Sequence, residues 1–282
     1  MSKTKQLNNQ IKTIDVIEKV TKILQISATV KAKELSKRQV LALKHKDFFI
    51  KSLDFVGLDG LFEVGSGAKN IIIAISSPKS MSGSLNNEVL KNTINIVTKN
   101  PAEKFEIHTY TDKSEKILTK KLHDLRNVVK IESFGLKKEI QMPQSDLQKH
   151  INNIHEMIIA GDVYKVFLVY PYAKSLLSQL VAVDVVFPLN KKTENTDLLT
   201  QNPNDESDSL KQTLLKSYIN SCLSYSISAC LNAVNYSRMI VTDNANKNSQ
   251  SKKQELKKIF NNTRQTKITS ELIDIVSGSN AL

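Results

Sequence analysis

SYINSCLSYSISACLNAVNYSRMIVTDNANKNSQSKKQELKKIFNNTRQTKITSELIDIVS, residues 217 to 277, contains neither glycine nor proline, and the exclusion reaches back to residue 204. These two residues are the strongest punctuation a chain has. So long a stretch without them reads as one or two extended helices, up to about 100 Å at 1.5 Å per residue. Residues 1 to 56 are free of both as well and read as a first helical arm of up to about 80 Å. In the first arm apolar residues recur at helical spacing at Leu7, Ile11 and Ile14, with a second row at Val16, Val20 and Ile23. In the last arm Leu223, Ile227 and Leu231 repeat in the same way, as do Ile268, Leu272 and Ile275. Helices of this kind do not bury themselves alone, and winding the two arms into an antiparallel coiled coil is the simplest way to cover these rows.

The middle of the chain has a different grammar. A continuous apolar run, Ile71 to Ile75, ends at Ser76 and Ser77 and is followed by a helical stretch from Asn87 to Lys99. That is the pattern of a buried strand leading into a helix. Further strands are expected at Phe105 to Thr111, Val128 to Ser133, Val163 to Tyr172 and Leu180 to Leu189, with a helix from Asp146 to Ala160 closed by Gly161. Alternating strand and helix gives an open α/β domain. The fold class is therefore α/β with long helices, an antiparallel coiled coil of the terminal helices carrying an inserted open α/β domain. The expected division is 1–57 for the first helix, 68–190 for the α/β domain, 191–208 for a polar linker containing Pro203, and 209–282 for the last helix.

The net charge of +12 is concentrated in the arms. Residues 1 to 46 hold 11 basic against 3 acidic residues and residues 208 to 282 hold 10 against 5, which leaves the middle at −1. Two basic arms around a neutral domain call for an acidic partner: nucleic acid, an anionic membrane surface or an acidic protein. Aromatic residues are only 6%, tryptophan is absent, and there is no helix-turn-helix or zinc pattern, which argues against nucleic acid. For most of the 40 basic residues a solvated helix face is explanation enough.

Other chemistries find little support. The loop after Ser77 lacks Gly-x-x-x-x-Gly-Lys-Ser/Thr, no Gly-x-Gly-x-x-Gly occurs, and no Ser, His and acid constellation stands out. Cys222 and Cys230, eight apart in a helix, are too far from each other to bridge and read as reduced packing residues. Among the histidines only His150 and His155 approach a ligand spacing, and the pair is expected on a polar helix face. No run of about 18 apolar residues occurs and Met1 to Gln10 is polar, so a soluble, cytoplasmic chain is expected. A purely structural coiled-coil scaffold would account for the arms but not for the α/β insertion.

Two stretches of the last arm, SRMIVTDNANKN (237–248) and FNNTRQTKITSELIDIVSGSNAL (260–282), carry a more specific signal. They resemble the C-terminal helix of the gamma subunit of F-type ATP synthases, in which an aromatic and Asn precede Arg-Gln, Ile-Thr, Glu-Leu and a terminal Ile-Val-Ser-Gly. Here those positions are Phe260, Asn261, Arg264, Gln265, Ile268, Thr269, Glu271, Leu272, Ile275, Val276, Ser277 and Gly278. In the first arm Lys19, Thr21, Lys22, Ala28 and Lys31 fall where that family has Lys-x-Thr-Lys and Ala-x-x-Lys. The strands at Asp162 to Tyr170 and Val185 to Leu189 fit as well, so the resemblance spans the chain.

The resemblance implies that the inserted α/β domain is Rossmann-like and that the chain is a non-catalytic rotor shaft standing in a ring of three alpha-like and three beta-like ATPase subunits, with an epsilon-like subunit and a membrane ring as further partners. It implies no cofactor on this chain, Mg-ATP belonging to the partner subunits, and no nucleic acid. Lys19, Lys22, Lys31, Arg264, Gln265 and Thr269 are the positions the resemblance offers for contact with the catalytic head. Arginine can grip a carboxylate in bidentate fashion, and glutamine can both donate and accept.

The chain also departs from the family. Where the family has Ser-Asp-Arg-Gly-Leu-Cys-Gly-Gly-Leu-Asn, it has Ser77, Pro78, Lys79, Ser80, Met81, Ser82, Gly83, Ser84, Leu85 and Asn86, so two glycines have become serine. Ala233, Val234, Asn235 and Tyr236 replace Ala-Ser-Glu-His, and Ile23 to Ile26 replaces a Met-rich segment. Divergence of this kind suggests a second reading, a gamma-like shaft in an ATPase repurposed for motility or another task that pumps no protons.

Overall fold

A computed structural model describes residues 3–56, 68–78, 82–134, 144–189 and 205–279. Most of the expected linker and residues 79–81 of the altered loop lie outside the described residues. Each helical arm is a single helix: α1 spans Lys3–Val56 and α5 spans Asp205–Ser279. Between them come β1 (Lys69–Ala74), α2 (Leu85–Lys99), β2 (Phe105–Thr109), α3 (Asp112–Leu122), β3 (Val128–Ser133), α4 (Gln144–Ile159), β4 (Val163–Ala173) and β5 (Gln179–Phe187). The chain divides into two compact units, Met1–Thr29 with Arg238–Leu282, and Val30–Ser237.

In the first unit the buried side of α1 runs through Leu7, Ile11, Ile14, Glu18, Thr21, Gln25 and Ala28, alternating steps of four and three. The facing side of α5 runs through Thr242, Asn246, Ser249, Lys253, Leu256, Phe260 and Thr263 with the same steps. This is the heptad seam of a coiled coil, but half of it is polar. Lys253 bonds Asp15 at 2.5 Å and Glu18 at 3.1 Å, Gln250 Nε2 donates to Glu18 at 3.3 Å, and Gln25 Nε2 donates to Asp243 at 3.0 Å. These pairs advance in opposite directions along the two helices and fix both the antiparallel sense and the register.

Two expected apolar rows do not enter this seam. Val16, Val20 and Ile23 are exposed, because at 100° per residue Val16 lies about 200° around the helix from Ile14, on the opposite side. Ile268, Leu272 and Ile275 are exposed because the register places the start of α1 opposite the Gln265 turn, beyond which α1 has no residues left to cover α5. From Arg264 onward every α5 residue whose side chain is described is exposed.

In the second unit a five-stranded sheet has the order β3-β2-β1-β4-β5. Strands β1 to β4 are parallel and β5 returns antiparallel to β4, with Val169 opposite Val183. The continuous apolar run of β1 is explained by burial on both faces, since successive side chains of a strand point to opposite sides. Ile72 and Ala74 pack with Val89 and Val97 of α2 and Leu118 and Leu122 of α3. Ile71 and Ile73 pack on the other face in a cluster with Ile151, Ile154 and Ile158 of α4, Leu53 of α1, and Leu215 and Ile219 of α5. Both cysteines are free and buried in this unit, Cys222 and Cys230 being part of the second cluster.

Helix ends follow local chemistry. Thr111 caps α3, its hydroxyl accepting from the backbone N–H of Ser114, and Gly161 takes φ +75° after α4, as its position in the sequence leads one to expect. In the altered loop the glycine that remains does the turning: Gly83 has φ +59°, and a Cβ there would meet Ser237 Oγ at 3.0 Å. Asn86 holds the same loop by accepting from Ser77 N–H at 3.0 Å and donating to Ser77 O at 2.8 Å.

Candidate functional site

All six residues expected to meet the catalytic head are exposed side chains on the two long helices. Arg264, Gln265 and Thr269 lie within two turns of the part of α5 that has left the seam. Thr269 Oγ1 donates back to Gln265 O at 3.0 Å, and Gln265 and Thr269 border a shallow groove with Asn262, Thr266, Ser270 and Ile273. Lys19 and Lys22 stand on α1 of the same unit, three apart on either side of Val20. Lys31 is exposed on the part of α1 that belongs to the other unit. The arrangement contains no acid and base held together around a reacting position. It presents a guanidinium fork, an amide, a hydroxyl and ammonium groups on helical surfaces, which suits them to a partner's carboxylates and carbonyls.

These polar groups are set in exposed apolar surface. In the coiled-coil unit Val16, Ile17, Val20, Ile23 and Ile26 of α1 face outward, and so do Ile268, Leu272, Ile273, Ile275 and Val276 of α5. Large contiguous apolar surface rimmed by polar residues marks an interaction site. Here the seam mixes Leu7, Ile11, Ile14, Leu256 and Phe260 with Glu18, Thr21, Gln25, Asn246, Ser249 and Lys253, while a second set of valines and isoleucines points away from it.

A second cluster was invisible from spacing. His150 is not on a polar face but 1% exposed, facing the sheet. Its Nε2 lies 2.8 Å from Nδ1 of His108, whose Nε2 lies 3.0 Å from Glu106, and Glu106 pairs with Lys69 at 2.6 Å. Tyr110 O–H lies 3.1 Å from His150 Nδ1, and Phe134 stacks on the His150 ring with centroids 3.8 Å apart. Burial and the neighbouring His108 hold the His150 imidazole down at about 3, while the hydrogen bond from His108, then Lys69, holds Glu106 at about 2 against the cost of burial. Burial raises the Tyr110 hydroxyl. The one sequence signal was period-2 alternation, which sets Glu106 and His108 on one face of β2 and carries on to Tyr110 just past its end. His155 is half-buried, and its Nε2 donates to Gln212 O at 3.0 Å. Among the described residues no group of three His, Cys, Asp or Glu could hold a metal ion, and no helix is long and apolar enough to cross a membrane.

Fold and surface together define a class, a helical hairpin with an α/β insertion whose outward helix faces carry exposed valines, isoleucines and leucines. The family profile described as ATP synthase matches residues 3–282, and the chain belongs to that family. Relatives named ATP synthase gamma chain are 23% identical in Rickettsia bellii and 25% in a Sulfurovum species, each over the whole of both chains, and 26% in Campylobacter jejuni over 99% of this chain and 98% of the relative. The fold is also that of a chain in the mitochondrial ATP synthase of Euglena gracilis (TM-score 0.64, 13% identity, 99% of this chain and 94% of that one). It is shared too with a chain in the central stalk and c-ring structure of the Tetrahymena thermophila enzyme (TM-score 0.56, 16% identity, 80% and 99%).

Proposed function

We propose that this chain is the central rotor shaft of an F-type ATP synthase, coupling ATP synthesis or hydrolysis in a ring of alpha and beta subunits to rotation. The observation that carries the reading is the apolar surface that the coiled coil leaves exposed. Polar pairs fix the register of a half-polar seam, while a second apolar row and Lys19, Lys22 and Arg264 face outward, as a shaft enclosed by other subunits requires. Whole-length kinship with ATP synthase gamma chains supports it. In this reading the chain performs no chemistry of its own and Mg-ATP is bound by the partners. Lys19, Lys22, Lys31, Arg264, Gln265 and Thr269 meet the head, and an epsilon-like subunit and a membrane ring attach to the same rotor. It works at the cytoplasmic face of the membrane as a peripheral part of the complex.

Contacts that are made and broken at every step of rotation must stay modest, and exposed ion pairs of about 1 kcal/mol or less each have that property. The repurposed-motor reading has no structural observation of its own. Native mass spectrometry of the complex captured through a tag on this chain is the test. One copy with three each of two ATPase subunits is the expected result, and self-association without them overturns the proposal.

A further inference from the structure

In the unit Val30–Ser237, α1 carries Lys37, Leu41, Lys44, Phe48, Lys51 and Phe55 in alternating steps of four and three. At 100° per residue all six fall within an arc of about 80°. The opposite side of the helix is the packed one. Leu53, 1% exposed, lies about 180° around from Lys44, and Lys46, about 200° around, reaches Asp184 at 3.4 Å and lies over the Tyr225 ring. The row thus occupies the side that a helix packed by one face normally gives to polar residues with charges of both signs. Instead Leu41 is 58%, Phe48 63% and Phe55 84% exposed. Lys37, Lys44 and Lys51 are exposed as well, and none of them forms an ion pair among the described residues. Glu34 is taken by Arg38 at 2.7 Å, and Asp47, about 60° to one side of Lys44, pairs with neither Lys44 nor Lys51.

The spacing says what fits. The three lysines stand about 10.5 Å apart along the helix and the three apolar residues do the same, so the row has the pattern of a heptad seam with ammonium groups at one position and apolar knobs at the other. A second copy of this chain would crowd six lysines and no carboxylate into one seam, which their mutual repulsion opposes. A lipid surface suits the row no better. An interfacial helix keeps its lysines on the polar face, apart from the residues that enter the acyl boundary, whereas here they share one line with the phenylalanines and would be buried with them. A helix with carboxylates at the matching positions answers both halves of the pattern.

We propose that residues 37–55 of α1 are the docking row for an acidic amphipathic helix of another chain, one that carries Asp or Glu at seven-residue intervals alternating with apolar residues over about five turns, about 27 Å. Leu41, Phe48 and Phe55 fill its apolar holes, and the three lysines set register and partner choice by pairing with its carboxylates. The row shares no residue with the six expected to meet the catalytic head, and it stands whether or not the chain is a rotor.

Site-specific photo-cross-linking in cells that make the chain is the test. Phe48 is replaced by the photoreactive p-benzoyl-phenylalanine, and the attached segment is sequenced by mass spectrometry. The expected adduct is a helical segment of another chain with Asp or Glu seven residues apart. Joint Lys37→Gln, Lys44→Gln and Lys51→Gln should lower its yield about tenfold, the combined effect of three modest ion pairs. Lys37→Arg, Lys44→Arg and Lys51→Arg together keep the charge and should keep the adduct. The lysines are exposed and unpaired, so both variants should melt with the wild type. Adducts with lipid, with a second copy or with a segment lacking the acidic spacing overturn the proposal, as does the absence of any adduct. An adduct that survives in the glutamine variant, or that the arginine variant loses as well, overturns it too.

Discussion

Replacing Glu106 by glutamine tests the buried chain of hydrogen bonds at its charged end. Glu106 accepts from His108 through Oε1 and from Lys69 through Oε2, and its side chain is 6% exposed. Glutamine keeps the volume but turns one acceptor into a donor that faces either an imidazole N–H or an ammonium group. Breaking a buried pair costs about 3–5 kcal/mol when the remaining charge stays buried. Lys69, 27% exposed, can turn to water, so the lower part of that range applies, about 2–3 kcal/mol at neutral pH. The pH dependence gives an independent figure. The Glu106 carboxyl is held at about 2 against an ordinary 4.5, and a difference of this size is worth about 3 kcal/mol at 1.36 kcal/mol per unit. Because the folded value is depressed, this stability is complete above pH 4.5 and is lost as pH falls from there toward 2. Urea denaturation of the full chain, followed by tyrosine fluorescence since tryptophan is absent, is the assay. The wild type should exceed Glu106→Gln by about 2–3 kcal/mol at pH 7, with the gap shrinking below about pH 4.5. A gap under about 0.5 kcal/mol at pH 7, or one that persists unchanged in acid, refutes the reasoning.

Ala28 is 1% exposed in the seam of the coiled-coil unit, so Ala28→Leu should force the helices apart and cost about 1–3 kcal/mol, seen as a lowered Tm. Arg264→Ala with Gln265→Ala removes only exposed side chains and should leave the Tm of the isolated chain within about a degree or two. In the reconstituted complex the same pair should weaken the coupling of ATP hydrolysis to rotation, and unchanged coupling in a rotation assay would remove these residues from the contact with the head. Burial pushes the Cys222 and Cys230 thiols up to about 11 and about 12, so neither should react with a thiol reagent at pH 8 until the chain is denatured. A fast native reaction, measured by absorbance, would contradict their packing.

Much of the architecture was legible because long-range structure here rests on local signals. Exclusion of glycine and proline from residues 1 to 56 and 204 to 277 pointed to helical arms of one or two helices each, and each arm is a single unbroken helix. The apolar run at Ile71 to Ile75 announced a strand covered on both faces, and Gly161 announced the end of α4, because burial and a left-handed φ each demand particular residue types at one position. The terminal motif around Arg264 and Gln265 was readable for the same reason, as a dense run of specific residues in one helix.

What the sequence could not supply is which neighbour a side chain meets. Val16, Val20 and Ile23 have the spacing of a seam, and only the pairing of Glu18 with Lys253 and of Gln25 with Asp243 shows that the seam lies on the other side of α1. Ile268, Leu272 and Ile275 likewise repeat as a buried row would, yet the register set by those same pairs leaves them beyond the reach of the first helix. Periodicity reports that a face is apolar without reporting what covers it. His108 and His150 are 42 residues apart, and their 2.8 Å contact exists only because a parallel sheet brings β2 under α4. Composition and spacing thus determined the elements, and the resemblance carried by the motif around Arg264 and Gln265 supplied the family. Register, burial and the joining of distant polar groups were decided by tertiary packing, since those depend on distances that a linear pattern does not contain.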